Sequence, residues 1–173
     1  MDDPLVVYLH DHLAGSSFAV ELLDKLASEF VGTPSGEIAR ELLEQVKIDV
    51  GTLKQIIARV GKATTDLYDA LGWIAERISR IKLKHDDPAG LGAFEAYEAI
   101  SLGISGKRLL WEALQARQSV DNRVAGFDYE ALIGRAEQQF QKANQYRLTL
   151  IPEAASSLAI MRVSPARPLL AAG

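Results

Sequence analysis

Residues 34–60 read PSGEIARELLEQVKIDVGTLKQIIARV. Ile38, Leu42, Val46, Asp49/Val50, Leu53, Ile57 and Val60 recur there at steps of three and four. That spacing lines one face of an α-helix. Thr33-Pro34 opens the segment and Gly61 closes it; Pro tolerates a first helical turn, and Gly favours the residue just past a helix end.

The preceding stretch follows the same logic. Asp3 can cap free backbone amides ahead of Pro4. Leu5, Leu9, Leu13, Ser16, Val20, Leu23, Ala27 and Phe30 then form one stripe. So short a break at Gly32-Thr33 predicts two long helices packed antiparallel.

Farther along, Leu67, Leu71, Ile74, Ile78 and Ile81 repeat with heptad spacing. They predict a shorter helix over about residues 65–83, long enough at about 1.5 Å per residue to run the length of a bundle. Asp87-Pro88 starts a third long helix, expected to end near Gln118. After a linker at 119–127, Asp128 caps a fourth, which runs to about Ile151 ahead of Pro152. No stretch alternates as a strand would. The expected fold is all-α: a four-helix bundle with an additional shorter crossover helix between the second and third long helices. Residues 1–160 form one domain, and 161–173, with Pro165 and Pro168, form a C-terminal tail.

Composition narrows the function classes. The chain has 173 residues, 48% hydrophobic and 24% charged, which suits a globular domain. No cysteine is present, so disulfides, thiolate metal sites and a Cys nucleophile are excluded. The net charge of -4 argues against general nucleic-acid binding. The start lacks a basic and then apolar leader, and no apolar run reaches the roughly 20 residues of a membrane span. A cytoplasmic location without membrane contact is expected.

The third helix carries three stripes. Leu91, Glu98, Leu102, Ser105, Leu109 and Ala116 share one face; Tyr97, Ile100, Ile104, Trp111 and Leu114 share the opposite one. Gly92, Ala96, Ala99, Gly103 and Gly106 make a stripe of tiny residues. Glycine costs about 1 kcal/mol against alanine inside a helix, so close approach of another backbone is expected there. Two apolar faces also fit a subunit contact, hence a homodimer.

Projection at about 100° per residue points His12, Asp49, Glu98, Gln139 and Arg147 inward. A buried carboxylate needs a partner, so a buried Glu98–Arg147 ion pair is expected, with His12 hydrogen-bonded to Ser16 or Asp49. The alternative is an atypical metal or small-ligand site at His12, Asp49 and Glu98, taking iron, manganese or zinc. The basic run Arg77, Arg80, Lys82, Lys84 and His85 could hold a phosphate, but cations also complement a helix C-terminus. Trp73, Trp111, Tyr8, Tyr68, Tyr97 and Tyr146 fit a core better than a ligand pocket.

The segments Tyr8–Gly15, Ala75–Lys84 and Gly106–Leu114 resemble an uncharacterised group of bacterial proteins, over about residues 5–150. That group is similar to the ferritin-like four-helix-bundle superfamily, whose bundles carry a long crossover connection. The resemblance implies a ferritin-like fold. The Glu-x-x-His metal ligands of that superfamily are missing: Glu44 is followed by Lys47, and Glu137 by Phe140. The expectation is therefore a non-enzymatic structural or binding module acting through homo-oligomerisation, with no resident cofactor. The alternative is an atypical metal-binding or redox protein.

Overall fold

The computed structural model describes residues 3–61 and 92–151. They form four α-helices: α1 (Pro4–Glu29), α2 (Pro34–Val60), α3 (Gly92–Arg117) and α4 (Tyr129–Thr149). The described residues contain no strand. The expected crossover helix at 65–83, the basic run at 77–85 and the tail at 161–173 lie outside the described residues, as do Tyr68 and Trp73.

The caps sit where the sequence puts them. Asp3 Oδ1 accepts the Leu5 amide at 2.9 Å. Thr33 Oγ1 accepts the Gly36 amide at 3.3 Å, and Asp128 Oδ1 accepts that of Ala131 at 3.0 Å. Each satisfies one of the amides that a helix start leaves free. Gly61 closes α2 with φ +136°, a backbone conformation that disfavours a side chain. Gly36 is required for a different reason: a Cβ there would stand 2.1 Å from the Phe30 carbonyl oxygen, so the α1–α2 corner closes only over a glycine.

Side-chain ties fix the helix directions. At one end, Arg123 joins the α3–α4 linker to the start of α1 through Asp3, at 2.7 Å. Arg59, near the end of α2, donates to the Ala125 carbonyl at 3.0 Å and lies over the Phe127 ring. At the other end, Tyr97 Oη donates to the Ser35 carbonyl at 2.6 Å, and its ring meets the Tyr146 ring edge-on. Hence α1 and α4 run one way, and α2 and α3 the other. Helix α2 ends where α3 does, so the connection between Gly61 and Gly92 joins opposite ends of the bundle. Helix α1 packs chiefly on α2, and α3 chiefly on α4, with α1–α3 and α2–α4 completing the square.

The core is apolar and continuous: Leu9, Leu22, Leu23 and Leu26 from α1, Leu42, Leu53 and Ile56 from α2, Tyr97, Ile100 and Trp111 from α3, and Ala136 and Ala143 from α4. Burying one such Leu or Ile contributes about 1.5–3 kcal/mol. Of the two apolar stripes of α3, the one with Tyr97 and Trp111 faces this core. The other is outside, with Leu102 69% and Leu109 55% exposed. No described helix is long and apolar enough to cross a membrane.

Candidate functional site

Three helices meet at a buried polar cluster near the middle of the bundle. Asp49 of α2 is its acceptor. Lys107 Nζ of α3 donates to Asp49 Oδ2 at 2.5 Å. Arg135 of α4 approaches Asp49 Oδ1 at 2.6 Å, and Gln139 Nε2 donates to Oδ2 at 3.2 Å. Lys107 also donates to Gln139 Oε1. Asp49, Gln139 and Lys107 are all buried, Lys107 to 8% exposure. A buried charge is tolerated only when paired and hydrogen-bonded, and Asp49 has three such partners. Burial pushes the Lys107 amine below the ordinary lysine value, while the Asp49 carboxylate pulls in the opposite direction.

Lys107 borders a cleft of about 440 Å³ between α1 and α3. Val46, Ile104 and Ala19 give it apolar walls; Tyr8, Asp11 and His12 line it from α1. The His12 ring meets the Tyr8 ring edge-on, with centroids 4.7 Å apart. Burial holds the imidazole below its ordinary value against the opposing pull of Asp11, so His12 is neutral at about pH 7. Gly15, Ser16, Gly103 and Gly106 complete the lining. At Gly15, Gly103 and Gly106 a Cβ would meet nothing within 4 Å. Gly103 and Gly106 therefore border open space and do not admit a neighbouring backbone, which corrects the close-approach expectation at those two positions. The volume falls in the range of small-molecule sites, about 300–1,000 Å³.

The residues projected inward separate into three places. Asp49 and Gln139 are in the buried cluster, and His12 lines the cleft. Glu98 and Arg147 do pair, Arg147 Nη1 donating to Glu98 Oε2 at 3.0 Å. The pair is not buried, because the Glu98 side chain is 51% exposed: Glu98 shares the outer stripe of α3 with Leu102. Arg147 is held besides by Asn144 Oδ1, at 3.1 and 2.9 Å. The expected His12–Ser16 bond takes another form: Ser16 Oγ donates to the His12 backbone carbonyl at 2.8 Å, and the imidazole is not its acceptor. His12, Asp49 and Glu98 do not assemble as a metal site. Among the described residues, no group of three or more His, Cys, Asp or Glu side chains is placed to hold a metal ion.

Lys107 and Arg135 are the functional candidates that helical projection passed over. Lysine and arginine are ordinarily exposed, and among those of α3 and α4 only Arg147 is projected inward. The signal for Lys107 was nonetheless present: it lies three residues after Ile104 and four before Trp111, in phase with the buried stripe.

No protein-family model matches the chain, and neither does any curated protein or solved structure.

Proposed function

We propose that this chain is a non-enzymatic binding protein, built on a ferritin-like bundle, that holds a small, largely apolar organic molecule in the α1–α3 cleft. The ferritin-like assignment is supported by the helix directions, which need a connection running the length of the bundle between α2 and α3.

One observation carries the binding role. Gly15, Gly103 and Gly106 sit inside helices, where each costs about 1 kcal/mol against alanine, and packing demands none of them, since a Cβ at each would have room. Gly51 and Gly134 have the same room inside helices, but of these five glycines Gly15, Gly103 and Gly106 line the cleft, and their missing side chains widen it. An opening of about 440 Å³ with mainly apolar walls is suited to a small organic molecule. The Lys107 amine, clamped by Asp49, serves better as a fixed cation than as a free nucleophile, which favours binding over catalysis.

The test is titration of the full chain with the neutral apolar dye N-phenyl-1-naphthylamine. A saturable fluorescence rise is expected, lost in Gly103→Leu while that variant keeps the helical circular dichroism of the unmutated chain. Absence of saturable binding, or equal binding by the variant, overturns the proposal.

Homodimerisation is a second reading with its own support. Leu102 and Leu109, two turns apart on α3, are both exposed, an arrangement suited to a partner helix. Sedimentation velocity on Leu102→Ser/Leu109→Ser tests it: a dimer that dissociates supports it, and a monomer in both forms ends it.

A further inference from the structure

We propose that the molecule held in the cleft is an amphipathic monocarboxylate, with its acid group directed inward to Lys107 and its hydrocarbon body along Val46, Ile104 and Ala19. This rests on the binding role assigned to the cleft and adds the chemical class of the ligand.

A lysine ammonium carries three N–H groups and no acceptor. Two of those on Lys107 are taken, by Asp49 Oδ2 and Gln139 Oε1. One N–H has no acceptor among the described residues. Buried donors without partners are costly, and Lys107 borders the cleft.

The charge count points the same way. Lys107 and Arg135 bring two positive charges to the single negative charge of Asp49, so the cluster is left with one uncompensated cation. Arg135 is partly exposed and shares its charge with water. The deficit therefore falls on buried Lys107, where a monoanion would be held by charge-assisted hydrogen bonding. A second cation entering the cleft would be repelled.

The lining sets the orientation. Away from Lys107 the walls offer alkyl surface, which suits a hydrocarbon chain. Asp11 is an exposed carboxylate on the α1 side of the cleft and disfavours a ligand whose acid group faces outward. His12, neutral beside it, adds no competing cation. An acid head against Lys107 with the tail outward satisfies both ends.

The experiment compares decanoate, 1-decanol and decylamine by calorimetric titration into the full chain, with dye binding measured alongside. The three share a ten-carbon chain and differ in head group. Decanoate is expected to bind about tenfold or more tightly than decanol, as a charge-assisted bond to a buried donor implies, with decylamine weakest. Lys107→Met is expected to bring decanoate down to the level of decanol. Should that variant fail to fold, the head-group comparison on the unmutated chain decides alone. Decanol binding as well as decanoate, while the dye still binds and Gly103→Leu still abolishes it, overturns the acid assignment and leaves the cleft as a binding site. Failure of the dye together with all three decyl compounds overturns both.

Discussion

Asp49 on α2 accepts a hydrogen bond from the Lys107 ammonium of α3 at 2.5 Å, between two helices that lie diagonally across the bundle. This bond joins the α1–α2 hairpin to the α3–α4 hairpin through charge, where the rest of the interface is mainly apolar. Removing one partner strands the other. Asp49→Ala is expected to destabilise the bundle by about 3–5 kcal/mol in urea unfolding, because Lys107 keeps a buried charge with no counter-ion. The double variant Asp49→Leu/Lys107→Met should recover much of that loss, since Arg135 can turn toward solvent. A double variant no more stable than Asp49→Ala would show that the pair is not the origin of the loss.

The Glu98–Arg147 pair should behave oppositely. Half-exposed Glu98 is screened by water, and Arg147 keeps its bonds to Asn144 and its place over the Phe94 ring without it. Glu98→Ala is expected to change unfolding free energy by less than about 1 kcal/mol. A loss several times larger would place this pair in the interior after all.

Gly15, Gly103 and Gly106 differ in kind from Gly36, and alanine substitution separates them. Gly15→Ala, Gly103→Ala and Gly106→Ala should each raise stability, by up to about 1 kcal/mol, because the helix gains propensity and nothing is displaced. Gly36→Ala should lower it sharply, since its methyl would collide with the Phe30 carbonyl. Thermal unfolding of the four variants checks this, and a destabilised Gly103→Ala would mean that another backbone approaches there.

His12 predicts an acid limb. Burial lowers its folded-state pKa below the ordinary value, so the unfolded chain takes up the proton first. The resulting stability is fully present above about pH 6.5 and is lost as pH falls from there through the folded-state value. Carboxylates titrate mainly below about pH 5, so they interfere little in this window. His12→Asn should flatten the stability profile just below about pH 6.5. A slope parallel to that of the unmutated chain would remove His12 from the account.

Helix bounds were legible because the caps are written in the chain. Asp3-Pro4, Thr33-Pro34, Gly61 and Asp128 mark starts and stops, and α2 spans the residues its apolar steps predict. Asp49 and Gln139 were legible too, as polar residues in phase with a buried stripe. Glu98 was misplaced because α3 is apolar on two sides, and phase alone cannot say which side faces the core. The bulk of Tyr97 and Trp111 marks the inner one. Lys107 is in phase with the inner stripe, but its burial depends on partners from two other helices, Asp49 and Gln139, which phase along one helix does not reveal. The cleft was not legible at all: a glycine that admits a backbone and one that leaves room for a ligand look identical in sequence, and only the surroundings of the missing Cβ distinguish them.

The central claim is that the volume between α1 and α3 is a binding site, and the most direct measurement is amide chemical-shift mapping with N-phenyl-1-naphthylamine on the isotope-labelled chain. The account predicts saturable shifts concentrated at Gly15, Ser16, Gly103 and Gly106. Shifts concentrated instead at Ile38 and Tyr146, in the more open groove between α2 and α4, or no saturable shifts anywhere, would contradict it.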